Sequence, residues 1–328
     1  MEFPQNQQEK GNFWLRVGFT TCLTGDIMRA RFASRMTPIE LPVADKRCEM
    51  LLSPLRYPGG KASLGPYLAH ILSINGLQGC AYYEPFAGGA GAALYLLSTG
   101  LVTSIHLNDA DPCIYAFWKA VLFCNKKLCR ALEQIDVTID EWHKQRAICL
   151  SPHRHTGFDL AVATLFLNRC NRSGILLGAG PIGGMEQKGK YKLNARFYRD
   201  TLIERLQALK RFKRHIRIYN LDAEVFLKKI VPKRRTSLPV FVYLDPPYYN
   251  NGRRLYLNSY THLEHQRLSE YLSRRKSLNW LLSYDDAPAI RQFYEARCPI
   301  KKKLKYSLNV HRSAHELLIF SDRVSAPR

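Results

Sequence analysis

With 328 residues, 46% of them hydrophobic, the chain can hold one large domain with an insertion, or two domains, around a substantial core. Its 49 Lys and Arg against 27 Asp and Glu give a net charge of +22, a balance that suits a polyanionic partner, most simply nucleic acid. No stretch approaches the roughly 20 apolar residues of a spanning helix, which excludes a helical membrane anchor. Nine cysteines is an odd count, and Cys124 and Cys129 make poor zinc spacing. Reduced, mostly buried thiols, no metal site and a cytoplasmic location are therefore expected. Residues 13–25 do not form a signal peptide, since Arg16 and several Thr interrupt them.

In chain order, residues 1–50 show no clean period of 2 or 3.6 and carry Met28, Met36 and Met50. They read as a poorly ordered extension, which an upstream start codon would produce, or as a small helical accessory element around 25–34. The pattern sharpens from Leu55. Residues 61–75 place Leu64, Leu68, Ile71 and Leu72 at helical spacing. A short apolar strand over 80–86 runs into the small-residue loop Ala87-Gly88-Gly89-Ala90-Gly91, a helix over 92–98 and a second strand over 103–107. Asn108-Asp109-Ala110-Asp111 closes that βαβ unit.

Residues 116–192 break the alternation, with helical segments near 116–132 and 158–169 and a turn-rich run over 174–192 holding six glycines. That run predicts a hairpin or a long ordered loop. A helix over 197–212 then aligns Leu202, Leu206, Leu209 and Phe212. Strands follow at 216–219, 240–244, 278–283 and 317–321, with one at 305–310 pairing with the last as a hairpin. Alternating β and α elements predict a doubly wound α/β sheet.

The candidate chemistry gathers at strand ends. Asp245-Pro246-Pro247-Tyr248 follows the apolar run 240–244. A carboxylate and a turn carbonyl can accept the two N–H bonds of a base's exocyclic amine, and a tyrosine face can stack on an extruded base. Asp-Pro-Pro is also an ordinary strand-ending turn. The loop at 86–91 lets backbone approach a nucleotide-like ligand, or merely joins strand to helix. Asp109 suits a ribose hydroxyl, whereas Asp111 suits a helix cap. Arg56-Tyr57-Pro58-Gly59-Gly60-Lys61 reads either as a turn with a surface lysine or as a second close-approach loop.

Asn168-Arg169-Cys170-Asn171-Arg172 holds the residue types that read base edges, or that cap a helix and touch phosphate. Lys188, Lys190 and Lys192 suit phosphates. Basic clusters at Lys210-Arg211, Lys233-Arg234-Arg235, Arg274-Arg275-Lys276 and Lys301-Lys302-Lys303 are single solvated faces that together form a phosphate-binding surface. Tyr256-Leu257-Asn258-Ser259-Tyr260 reads as a lid over an extruded base or as a plain connection.

In this order, from Leu55 to Asp322, these motifs resemble the Dam-like DNA adenine-N6 methyltransferases. The resemblance implies a Rossmann-like S-adenosylmethionine-dependent methyltransferase sheet over 51–115 and 193–328. It also implies an inserted, mainly helical target-recognition domain over 116–192. S-adenosylmethionine would be the methyl donor and double-stranded DNA the substrate, with no membrane partner. A companion restriction endonuclease and a monomer or weak dimer complete the expectation. Tyr57, Lys61, Glu84, Phe86, Gly88, Asp109 and Asp245 match the family's donor contacts, and Asp222 is a weaker match on the adenine side. Asp245, Pro246 and Tyr248 match its catalytic tetrapeptide. Arg56, Asn168, Arg169, Asn171, Arg172, Lys188 and Lys190 are the candidate DNA contacts. Residues 1–50 have no counterpart in that family, and the run 174–192 departs from its best-known members.

Overall fold

A computed structural model describes residues 52–56, 61–233, 236–250, 260–305 and 313–327. The extension over 1–50, Tyr57, residues 256–259 of the segment read as a lid and residues 306–310 of the strand expected at 305–310 lie outside these residues. Seven strands form one sheet: β1 (Cys80–Glu84), β2 (Val102–Asn108), β3 (Ile216–Tyr219), β4 (Val240–Leu244), β5 (Asn279–Asp285), β6 (Ile300–Lys305) and β7 (Ser313–Phe320). Their order is β3-β2-β1-β4-β5-β7-β6. The first five run parallel, β7 is antiparallel to β5, and β6 is antiparallel to β7. The chain leaves β1 towards β3 and returns to β4 on β1's other side. That reversal opens a crevice at the carboxyl ends of β1 and β4, where such sheets take their ligands.

Both sheet faces are covered, and strand alternation divides the core between them. Tyr82, Phe241 and Tyr243 join the core under α1 (Gly65–Ile74), α2 (Gly91–Ser98), α3 (Pro112–Phe123), α4 (Asn125–Gln134), α5 (Ile139–Leu150), α6 (Gly157–Cys170) and α7 (Arg199–Arg211). Ala81, Tyr83, Val242 and Leu244 face the opposite way. They pack with α8 (Ala223–Lys229), α9 (His262–Arg274) and α10 (Pro288–Phe293). Burial on two faces explains why β1 and β4 read as nearly continuous apolar runs.

Residues 116–192 are built into this core rather than set apart from it. Leu128, Trp142, Phe166 and Leu176 share one apolar cluster with Leu68, Leu94 and Ile105. Instead of one helix over 116–132, α3 ends at Phe123, Cys124 caps it, and α4 starts at Asn125. The Asn125 side chain donates to the Val121 and Leu206 carbonyls, fixing that break against α7. Helix α5 was not anticipated, since few of its residues are buried. The run 174–192 is an ordered loop of turns with one bridge, Asn171 to Pro181. Gln187 organises it, donating to the Ile182 and Gly184 carbonyls and accepting from the Leu193 amide.

Candidate active site

An acid stands at or just beyond the carboxyl end of each parallel strand: Glu84, Asp109, Asp222, Asp245 and Asp285. Between β1 and α2 the loop turns through left-handed backbone at Gly88 (φ 45°) and Ala90 (φ 49°). The Gly88 amide donates to Asp109 Oδ2 (2.9 Å), and Trp118 Nε1 donates to the Gly88 carbonyl (2.9 Å). Asp109 is half-buried, and its other oxygen accepts from the Asp111 amide. Asp111 caps α3 by accepting from the Cys113 amide. Asp111 thus takes the cap, while Asp109 ties the loop after β1 to the turn before α3.

Buried Asn108 ties three of these loops together. Its amide donates to the Pro85 and Leu221 carbonyls (2.9 and 3.0 Å), and its oxygen accepts from the Leu221 amide (3.0 Å). Each such bond contributes about 1 kcal/mol, and more is lost when a partner is left buried without it. Phe86 meets Tyr260 edge-on at 5.6 Å. Glu84 is buried, with Oε1 accepting from the Tyr82 hydroxyl (3.2 Å) and Oε2 bonded to no described residue. Asp222 is exposed and caps α8, accepting from the Glu224 and Val225 amides through one oxygen.

At the end of β4 the charges converge. Asp245 Oδ1 accepts from Ser283 Oγ (2.9 Å) and pairs with Lys61 Nζ (3.1 Å). Ser283 is itself bonded to the Tyr243 hydroxyl (2.8 Å). Asp245 Oδ2 bonds no described residue, and the side chain keeps 19% of its surface exposed. Lys61 is buried, and its Nζ also reaches Glu316 Oε1 (2.5 Å) on β7 and the Tyr248 hydroxyl (3.0 Å). Tyr248 in turn donates to Glu316. Pairing of Asp285 with Glu316 between β5 and β7 sets that height, and Asp285 accepts from the Tyr249 and Asn250 amides (2.8 and 3.0 Å). The loop after β4 is thereby held from below and from the side.

Two buried carboxylates share one ammonium here. Burial would pull Lys61 down, but Asp245 and Glu316 outweigh it and hold Lys61 charged. Burial raises Asp245 and Glu316 despite Lys61. Burial likewise pushes Glu84 well up, and burial with the nearby Asp111 pushes Asp109 up to about 7. Acids raised above their unfolded values favour folding only at low pH. Their contribution is complete below about pH 4, and for Asp109 it is lost as pH rises through about 7. A cationic ligand relieves that loss, so its stabilising effect should grow over the same window. The rise in melting temperature caused by saturating S-adenosylmethionine is expected to be larger at pH 8 than at pH 5. Calorimetry giving an equal rise at both would contradict this reading of the acids.

The structure reassigns several candidate DNA contacts. Asn168 is fully buried: it accepts from the Arg56 amide (2.6 Å) and donates to the Arg56 and Gly174 carbonyls (2.7 and 2.9 Å). Gly174 adopts φ +77°, and a Cβ there would stand 2.5 Å from the Arg56 carbonyl oxygen. Arg169 is buried and donates through Nε to the Pro54 carbonyl (2.7 Å). Asn171 is buried, accepting from Trp142 Nε1 (2.6 Å) and donating to the Ile175 and Leu176 carbonyls. Burial with these bonds turns Asn168, Arg169 and Asn171 away from base reading and makes them the mount of residues 54–56, just before Lys61. Arg56 follows them inward, half-buried with its guanidinium on the Asn171 carbonyl (3.4 Å). Arg172, Lys188 and Lys190 are exposed. Lys188 pairs with Glu186 (2.6 Å), and Lys190 lies over the exposed Tyr191 ring.

Asn108 as a single residue, Ser283, Asp285 and Glu316 belong to the site without standing out as candidates in the sequence. The one available signal is Glu316, an acid at the head of the apolar run Leu317-Leu318-Ile319-Phe320.

A doubly wound sheet with a glycine loop after β1, an acid after β2 and Asp-Pro-Pro-Tyr after β4 defines an amine methyltransferase of the S-adenosylmethionine-dependent class. The profile of the D12 class N6 adenine-specific DNA methyltransferase family matches residues 57–308, and the chain belongs to that family. It is an adenine-N6 DNA methyltransferase, with S-adenosylmethionine as methyl donor and DNA as substrate. Solved structures similar to the chain include a Pyrococcus horikoshii protein named as a candidate RNA methyltransferase, at 13% identity, covering 81% of this chain and 85% of that one with a TM-score of 0.35. Another is a conserved hypothetical protein of Streptococcus pyogenes, at 10% identity, covering 78% and 96% with a TM-score of 0.30. A search of curated proteins gives no match. No described helix is long and apolar enough to cross a membrane.

The residues present fit the donor. Left-handed Gly88 exposes a loop suited to close approach, Asp109 faces that loop, and the buried Glu84 Oε2 awaits a donor group. Acids at 84, 109 and 245 line the crevice, all raised by burial, and a bound sulfonium would favour their ionised forms.

Proposed function

We propose that the chain extrudes the target adenine from duplex DNA and holds its amine between Asp245 Oδ2 and the Pro246 carbonyl, with Tyr248 stacked on the base. The observation carrying this is the asymmetry of Asp245. One oxygen is fixed by Ser283 and Lys61, while the other bonds no described residue and the side chain remains partly exposed. An amine lone pair is delocalised into its ring, and two acceptors on its N–H bonds direct it outward. The donor, when bound, supplies an electrophilic methyl group. Lys61, Glu84, Phe86, Gly88 and Asp109 hold the donor in this reading, with Asp222 at its adenine side through the oxygen not used for capping. Tyr57 belongs to the same proposal on the family resemblance.

Arg172, Lys188 and Lys190 supply DNA contacts from the surface of the segment over 116–192, which we propose as the recognition element. Free thiols at the described cysteines, five of them buried, support a cytoplasmic location. A companion restriction endonuclease and a monomeric or weakly dimeric state rest on the resemblance alone.

Fluorescence of 2-aminopurine placed at the target adenine tests extrusion, because it rises when the base leaves the stack. It is expected to rise on binding the intact protein and to fall back several-fold with Tyr248→Ala, base–aromatic stacking being worth about 1–3 kcal/mol. Methylation without any rise in fluorescence would overturn base extrusion.

A further inference from the structure

Glu316 lies outside the Asp-Pro-Pro-Tyr and glycine-loop motifs, yet it bonds both Lys61 and Tyr248 beside Asp245. We propose that Glu316 is a positioning residue whose charge cancels that of Lys61, so that Asp245 presents one uncompensated negative charge to the cationic methyl donor. The proposal deepens the reading above, and rests on it for placing the donor beside Asp245.

Lys61 sits 3.1 Å from Asp245 Oδ1 and 2.5 Å from Glu316 Oε1, with little of Lys61 or Glu316 exposed. Lys61 and Asp245 alone would form a neutral buried pair. Its field at a ligand would nearly vanish, and Asp245 would spend its acceptor strength on the ammonium. Among the described residues, adding Glu316 makes the set −1 when both acids are ionised, matching the single positive charge of a sulfonium in a site where charge is weakly screened. Lys61 then acts as a strut that fixes Asp245 Oδ1 without neutralising the set. The same carboxylate holds the Tyr248 hydroxyl, which fixes the ring that faces the base. Glu316 arrives from β7 through its pairing with Asp285, so the antiparallel end of the sheet contributes to a site otherwise built from parallel strands.

S-adenosylmethionine and its product S-adenosylhomocysteine differ by a methyl group and a charge, so the ratio of their dissociation constants isolates this effect from contacts they share. Glu316→Gln keeps the side chain's size and an acceptor oxygen while removing the charge. Calorimetric titration is expected to show this variant losing about tenfold in preference for the charged ligand relative to the intact protein. Its kcat-against-pH profile should also shift its acidic limb to lower pH, since Glu316 no longer opposes ionisation of Asp245. The double variant Lys61→Met with Glu316→Gln leaves Asp245 as the set's only charge and should restore the preference, which a purely structural role for Glu316 does not predict.

Asp245→Asn distinguishes the role of Glu316 from the placement of the donor. Lost preference in Asp245→Asn with none lost in Glu316→Gln would overturn the role of Glu316 and keep the donor beside Asp245. Unchanged preference in both would overturn that placement of the donor as well. Lost preference in Glu316→Gln that the double variant fails to restore would overturn charge compensation.

Discussion

With Asp245 replaced by Asn, methyl transfer is expected to slow by about a thousandfold or more while DNA and donor still bind. An asparagine oxygen at the Oδ1 position can still accept from Ser283 and Lys61, so the loop after β4 keeps its anchors. The amide nitrogen then takes the place of Oδ2 and presents hydrogens to an amine that also presents hydrogens. The lone pair loses its direction, and the acceptor that stabilises developing positive charge on the amine is gone. Lys61 keeps Glu316 as its counter-ion, so stability should hold or rise. Single-turnover assays with labelled donor, read beside DNA-binding anisotropy, check both halves. Turnover within tenfold of the intact protein would remove Asp245 from the chemistry.

Lys61→Met should produce the largest loss of stability, about 3–5 kcal/mol near neutral pH, because it strands two buried carboxylates beside each other. Both acids are already raised by burial with Lys61 present, and removing the ammonium raises them further. The penalty is absent where both are protonated, below about pH 4, and grows as pH rises through their folded values. The variant should therefore approach the intact protein in acid and fall away from it towards pH 8. Adding Glu316→Gln removes one stranded charge and should recover part of the loss. Chemical denaturation at pH 5 and pH 8 measures this. Equal stability of Lys61→Met and the intact protein at both values would contradict the paired-charge geometry.

What the sequence revealed follows from which interactions are local. Strand β4 was legible to the residue because five apolar residues run into Asp-Pro-Pro, whose fixed φ and missing amide end the ladder. Helices α5 and α9 went unread because their buried positions are few. Their starts were nonetheless written as Thr138 with Glu141 and Thr261 with Glu264, where the threonine accepts from the glutamate amide. Residue type suggests base reading by at least one of Arg169, Asn171 and Arg172, and burial removes Arg169 and Asn171 from that role while Arg172 stays exposed. Ten of the fourteen residues of α6 are buried, so polar side chains at its end turn inward to backbone carbonyls. Glu316 shows in the sequence only as an acid at the head of an apolar run, because its partner lies 255 residues earlier and only strand register brings the two together.

Mass spectrometry of hydrolysed DNA from cells expressing the intact protein or Asp245→Asn tests the central claim most directly. N6-methyladenine is expected with the intact protein, and only background with Asp245→Asn at equal expression. N6-methyladenine at equal levels with both proteins, or a methylated base other than adenine with the intact one, would contradict it.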